Sequence, residues 1–186
     1  HRCITALEDS GFSLKDQLAW IKNSAPHRAQ RLSVVFDRRG DSQSSTDWSG
    51  WRLGNLRPRF EPVIWATKPY KRGTTIADNA LKFGVGAYSP DALSSLGNED
   101  ASNILRSPSG PREEKIHPTQ KPVRLMEALV RLVTKPGQVV LDPFAGSAST
   151  LVAANNMGRD FVGFEINPEY HRLANERLAS LPPRLI

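Results

Sequence analysis

Apolar positions along this chain follow two periods, and each period predicts a different element. Phe12, Leu14, Leu18 and Trp20 alternate with polar neighbours, which predicts a strand with one buried face, and residues 62–67 read as a second strand. Residues 3–9 read as the end of a helix stopped at Gly11, with Cys3 expected to be buried on it. Further on, Leu125, Leu129 and Leu132 recur at helical spacing from residue 123 to about 134, and Met126, Val130 and Val133 widen that face. Pro122 suits the first turn of this helix, and Thr119 is expected to cap it. Val139, Val140 and Leu141 form a short apolar run of the kind found in buried parallel strands. A helix capped by Ser149 and Thr150 then continues through Leu151, Val152, Ala153 and Met157 to Gly158, and residues 161–164 read as another strand ending at Glu165. The intervening stretches are polar or broken. Residues 23–50 read as loop, with 41–47 expected to be mobile without a partner, and residues 73–110 hold a short helix near 76–82 before Gly84, Gly86 and Pro90 interrupt.

The unit from Val139 to Glu165 carries the first chemical signal. Gly146, Ser147 and Ala148 are small enough for a ligand to approach the backbone, and a carboxylate about 20 residues beyond such a turn is placed to hold two ribose hydroxyls. A dinucleotide fingerprint needs three spaced glycines, whereas only Gly146 stands in this turn. Asp142 at the strand end would repel a diphosphate and accept hydrogen bonds from a cationic amino group. That combination favours S-adenosylmethionine over a nicotinamide cofactor, the remaining alternative being a βαβ unit without a ligand. Upstream, His117-Pro118-Thr119-Gln120-Lys121-Pro122 leads into the amphipathic helix, and Lys121 is expected to reach the carboxylate of a cofactor over the neighbouring turn.

Taken together, the HPTQKP, DPFAGSAST and FVGFEINPEY segments resemble the C-terminal half of DNA amino-methyltransferases, which make N6-methyladenine or N4-methylcytosine. The likeness is greatest to the phage and restriction-modification enzymes whose catalytic motif comes first and cofactor motifs last. GFSLKDQLAWIK (residues 11–22) and FEPVIWATKP (residues 60–69) extend it. The resemblance implies an α/β, Rossmann-like class I methyltransferase fold with an inserted, loop-rich target-recognition region. Residues 1–22 and 60–69 would supply the antiparallel part of the core, 23–59 and 70–115 the DNA-recognition region, and 116–186 the S-adenosylmethionine-binding part. Asp142, Phe144, Gly146 and Ser147 would surround the methionine portion, Glu165 the ribose, and Thr119, Gln120 and Lys121 the carboxylate end. Where the family usually has Gly-Ser-Gly, this chain has Gly146-Ser147-Ala148, so residue 148 is expected to keep a negative φ.

One family element is missing from the sequence. These enzymes carry an Asp/Ser/Asn-Pro-Pro-aromatic tetrapeptide that holds the target amine and stacks on the flipped base; the only Pro-Pro here is in Leu181-Pro182-Pro183-Arg184. Leucine cannot accept a hydrogen bond from an amine and arginine is not an aromatic platform, so no catalytic residue is assigned. The strands that lie between the antiparallel pair and the cofactor pair in this fold are also unaccounted for, which leaves unpaired edges. With His1 at its start, the chain is expected to be a fragment, a processed product or one piece of a split enzyme.

Charge then points to the partner. The net charge is +6, and residues 51–75 hold Arg52, Arg57, Arg59, Lys68, Lys71 and Arg72 against Glu61 alone, interleaved with Trp48, Trp51, Tyr70 and Phe83. Such a stretch suits double-stranded DNA, with Arg28, Arg31, Arg38 and Arg39 as an alternative track. One cysteine excludes a disulfide framework, His1, His27, His117 and His171 show no metal-ligand spacing, and no 18-residue apolar run occurs, so a cytoplasmic protein is expected. Two functions follow. The first is the cofactor-binding and DNA-recognition portion of a site-specific methyltransferase, with adenine N6 favoured over cytosine N4 and no activity as an isolated chain. The second is a non-catalytic DNA-binding or partner subunit derived from one.

Overall fold

A computed structural model describes residues 2–25, 29–69, 71–97, 101–107 and 113–182. His1, His27, Arg28, Tyr70, Pro183 and Arg184, named above, and residue 110, the end of the stretch 73–110, lie outside the described residues. In chain order the elements are α1 (Arg2–Asp9), β1 (Ser13–Ile21), β2 (Gln30–Arg31), α2 (Leu32–Arg38), α3 (Ser42–Asp47), β3 (Arg52–Leu53), β4 (Phe60–Thr67) and α4 (Ile76–Phe83). A 3-10 helix (Pro90–Leu96), β5 (Ile104–Arg106), α5 (Val123–Val133), β6 (Val139–Asp142), α6 (Ser149–Asn156), β7 (Asp160–Gly163) and α7 (Pro168–Ala179) follow. No helix among the described residues is long and apolar enough to cross a membrane.

The strands form separate sheets: β4-β1-β5, the small pair β2-β3, and the parallel pair β6-β7. β1 and β4 are antiparallel, running from Ser13 opposite Thr67 to Ile21 opposite Phe60. β5, which the apolar pattern does not predict, pairs parallel to the last three residues of β1 and covers that edge. A register shift between Leu14 and Asp16 corrects the expected single face of β1. The extra residue, Lys15, turns Leu14 to the opposite side of the sheet from Leu18 and Trp20, because side-chain direction alternates with a period of two. Leu18 and Trp20 are buried, whereas Phe12 and Leu14 stay exposed.

The larger core lies on this sheet. Leu18 and Trp20 of β1, Leu105 of β5, and Ala92, Leu93 and Leu96 of the 3-10 helix meet Leu125, Ala128 and Leu132 of α5. The opposite flank of α5 contacts α6, where Asn156 Nδ2 donates to Glu127 Oε1 at 2.7 Å. Helix α5 therefore joins the two sheets. At its end Arg159 Nε donates to Thr134 Oγ1 at 3.0 Å, fixing the helix terminus to the start of β7.

The remaining corrections have local causes. Cys3 is exposed, because α1 buries none of its residues. Val133 also remains exposed, so the buried face of α5 is narrower than its apolar pattern. Residues 42–47 form the helix α3: the Asp41 carboxylate, at its N-cap, accepts the Ser44 amide at 2.9 Å. Val139 and Leu141 are 63% and 60% exposed, so β6 has only one covered face, not the two of a fully buried strand.

Candidate functional site

The expected strand, glycine turn, helix and strand are present, and the turn is tied closely to β7. Phe164 N–H donates to Asp142 O at 2.9 Å, and Ala145 N–H donates to Phe164 O at 2.8 Å. Gly163 allows this approach: a Cβ there would stand 2.4 Å from Leu151 Cδ1 and 3.3 Å from Ala145 Cβ. Asp142 Oδ1 accepts the Phe144 amide at 3.0 Å, closing the start of the turn on its own strand end.

Glu165 spans the turn. One carboxylate oxygen accepts the Gly146 amide at 2.8 Å, and the other accepts the Asn167 amide at 2.8 Å. These two backbone donors, Asn167 first, hold the carboxyl below its ordinary range. The sign is that of a depressed carboxylate: its stabilisation is present above the unfolded value and is lost as pH falls through the lowered folded value. Each oxygen keeps lone-pair capacity for further donors, such as a pair of vicinal hydroxyls.

Residue 148 corrects an expectation directly. Ala148 has φ +60° and is the only non-glycine residue with positive φ among the described residues. It is the N-cap of α6 and its side chain is fully buried against Leu151 and Ala174. Ser149 and Thr150 thus lie inside the helix instead of capping it. The left-handed conformation costs a residue bearing a Cβ about 1–2 kcal/mol. Packing holds the turn in the shape a glycine would adopt freely.

His117 borders Gly146: a Cβ added at Gly146 would meet His117 Nε2 at 3.6 Å. The ring stacks edge-on against Tyr170 at 4.4 Å, and its Nδ1 accepts the Thr119 amide at 3.2 Å. Gln120 is turned to its own segment, accepting from Ile116 N–H and donating to Glu114 O. Thr119 does not cap α5; Glu113 Oε1 accepts the Val123 amide at 2.7 Å instead. Lys121 points to the antiparallel sheet, where it and Lys22 each pair with Glu61 at 2.9 Å, and it lies over the Trp20 ring. Burial raises the Glu61 carboxyl, but the two ammonium groups outweigh it and the group sits below the ordinary range.

The structure therefore gathers Asp142, Phe144, Gly146 and Ser147 on one turn, with Glu165 reaching it from beyond β7, Thr119 and Gln120 in the adjoining segment and Lys121 drawn towards Glu61. Phe144 is 88% exposed and stands as an uncovered ring on the rim. Arg177 is an addition that the sequence motifs do not announce. Its guanidinium donates to Ser147 O at 2.9 Å and pairs with Glu113 at 3.0 Å, so one arginine of α7 links the glycine turn to the segment before α5. No local pattern signals a contact between residues this far apart in sequence. Arg52, Arg57, Arg59, Lys68, Lys71 and Arg72 are all exposed, and Trp48 and Trp51 stack edge-on beside Arg52 in the chain. No group of three or more metal-ligating side chains occurs among the described residues. Chemically, the turn offers carboxylate acceptors at two strand ends and an open backbone approach, a fit for a ligand with vicinal hydroxyls and a cationic group.

Residues 1–176 match the profile of a DNA methylase family of the N6/N4 type. Over 182 residues the chain is 49% identical to the type II methyltransferase M.HindIII of Haemophilus influenzae, covering 96% of this chain and 59% of that protein. It thus spans about three fifths of that relative's length. The crystal structure of an M1.HpyAVI–SAM complex superposes with a TM-score of 0.60 at 29% identity, over 96% of this chain and 70% of the other. The cytosine-N4-specific PvuII DNA methyltransferase shares the fold with a TM-score of 0.57 at 19% identity, over 99% of this chain and 57% of the other. These likenesses agree with the α/β class I methyltransferase fold expected from the sequence.

Proposed function

The chain belongs to the N6/N4 DNA methylase family, and from that premise we propose that it is the cofactor-binding and DNA-recognition portion of an S-adenosylmethionine-dependent DNA methyltransferase. The observation that carries this reading is the Glu165 carboxylate clasping the Gly146 amide at 2.8 Å, in a turn opened by Asp142. A bound S-adenosylmethionine supplies an electrophilic methyl group. Glu165 would hold its ribose hydroxyls, Asp142 its amino group, and the backbone of Gly146 and Ser147 the room for its methionine portion. Thr119, Gln120 and Lys121 are proposed for the carboxylate end; for Lys121 this requires leaving Glu61, since the ammonium is paired there. The acceptor is an exocyclic amine in double-stranded DNA, presented by flipping the base from the stack. Phosphate contact would come from within the basic segment 52–72, whose two ends lie at opposite ends of the β1-β4 pair.

Methyl transfer also needs an acceptor for the amine proton and a platform for the flipped base, aligned with the donor. The chain's sequence has no Asp/Ser/Asn-Pro-Pro-aromatic element to provide them. A complementary region or second chain would supply that element, and the bare face of Val139, Leu141 and Val162 on the β6-β7 sheet supports the need for a further layer. The same absence favours the second reading, a non-catalytic DNA-binding subunit.

The test is transfer of labelled methyl groups to duplex DNA, with and without a polypeptide bearing the tetrapeptide. Transfer only by the combination is expected. Robust transfer by the 186-residue chain alone would overturn the division of labour, and none by any combination would favour the non-catalytic subunit. The resemblance favours adenine N6 as the acceptor, and digestion of the product to nucleosides separates N6-methyladenine from N4-methylcytosine.

A further inference from the structure

The register of the β1-β4 pair divides the basic stretch into two groups at opposite ends of a sheet. Ile21 lies opposite Phe60 and Ser13 opposite Thr67. Arg57 and Arg59 precede β4, whereas Lys68, Lys71 and Arg72 follow it. The nine residues of β1 place these ends roughly 26 Å apart, at about 3.3 Å per residue.

Only one end adjoins the cofactor turn. Lys121 follows directly on the segment whose His117 ring borders Gly146, and it pairs with Glu61 beside Lys22. Lys22 N–H donates to Arg59 O at 2.8 Å, and Arg59 Nε donates to Lys22 O at 3.0 Å, so the Arg59 backbone is fixed at that end. Arg106 ends β5 opposite Ile21, adding a third exposed guanidinium there. Arg57, Arg59 and Arg106 make no ion pair among the described residues. Segment 22–59 also leaves the sheet and returns to it at this end, carrying Arg52 and the Trp48–Trp51 pair. Lys68, Lys71 and Arg72 stand at the other end, where Ser13, Lys15 and Gly86 cluster.

We propose that the phosphate backbone of duplex DNA is held at the Lys22–Arg59 end by Arg57, Arg59 and Arg106, with Arg52 on the adjoining excursion, and that Lys68, Lys71 and Arg72 lie off its path. This rests on the reading of the chain as part of a DNA methyltransferase: a duplex delivering a base to the glycine turn must approach the end of the β1-β4 pair nearest that turn. The three arginines present guanidinium groups, free of carboxylate partners among the described residues, in the planar forked geometry that suits phosphate.

The test compares two triple variants of the chain combined with its complementary catalytic region, measuring duplex affinity from low to moderate salt. Arg57→Gln, Arg59→Gln and Arg106→Gln together should lower the magnitude of the logarithmic salt slope by about 2–3, close to 0.9 for each phosphate no longer neutralised. Lys68→Gln, Lys71→Gln and Arg72→Gln should leave the slope unchanged. A slope reduced only in the second variant, or unchanged in both, overturns the assignment. Thermal melting identifies a first variant that is merely misfolded, and the second variant's slope still decides, because any fall in it contradicts the proposal. Wild-type protein that binds duplex but transfers no methyl group would sink the proposed activity and leave this surface standing; wild type that binds no duplex would overturn both.

Discussion

The antiparallel sheet and the β6-β7 sheet are held together by different means. The β1-β4 pair is long, and its stability comes from apolar side chains gathered from β1, β5, the 3-10 helix and α5. The β6-β7 pair is four residues per strand, its buried cluster is Ala148, Leu151 and Ala174, and its outer face is bare. What it has instead is polar strapping: Asp142, Glu165, Arg177 and Glu113 each fix a backbone or side-chain group around one turn. The first region is held by packing and the second by polar contacts around its turn. The former supplies a packed scaffold, and the latter holds the polar atoms of the turn in place with little core beneath them.

The contrast breaks first, and by the largest margin, through the cores. Leu125 is 2% exposed at the centre of the larger cluster, and Leu125→Ala should cost about 3–5 kcal/mol. Leu151→Ala, in the smaller cluster beside the open sheet, should cost about 2–3 kcal/mol because its surroundings can collapse further. Denaturant unfolding measures both, and equal costs would remove the distinction between a packed and a strapped region.

The strapping is sharpened by Arg177. Arg177→Ala leaves Ser147 O, in a turn whose Ser147 is buried, without its guanidinium donor and Glu113 without its partner. A destabilisation of about 1–3 kcal/mol is expected. Arg177→Lys should recover only part of it, since one ammonium cannot reproduce the forked contacts. Full recovery by lysine in thermal melts would reduce the link to a simple charge.

The smallest effect belongs to Ala148. Ala148→Gly relieves about 1–2 kcal/mol of left-handed strain, but it removes a fully buried methyl worth about 0.8 kcal/mol and adds about 0.4–1 kcal/mol of unfolded-state freedom, so the melting temperature should hardly move. A large destabilisation would mean that the methyl, not the backbone shape, organises the turn.

The glycine turn is legible in the sequence because its chemistry is local. Asp142, Gly146 and Glu165 are ordered by a strand, a helix and a strand whose lengths nearly fix their meeting, whereas the need for Gly163 shows only where Leu151 and Ala145 close on it. The antiparallel sheet is less legible because its details are non-local. Nothing around Lys15 announces the bulge that reverses Leu14, and a three-residue β5 is specified by its partner more than by itself. Asp41-Ser42-Gln43-Ser44 carries a helix-start signal, but its serine-rich composition points to disorder. Glu113 and Arg177 leave no trace, because a capping carboxylate ten residues before its helix and an arginine 30 residues from its carbonyl meet only in three dimensions.

Most direct for the central claim, that this turn is an S-adenosylmethionine site, is calorimetric titration of the cofactor into the chain assembled with its complementary catalytic region. Glu165→Ala should weaken binding by about tenfold or more, the scale of one charge-assisted hydrogen bond, while nicotinamide dinucleotides should not compete. Binding by Glu165→Ala equal to that of the unaltered protein would remove Glu165 from the site and contradict the account.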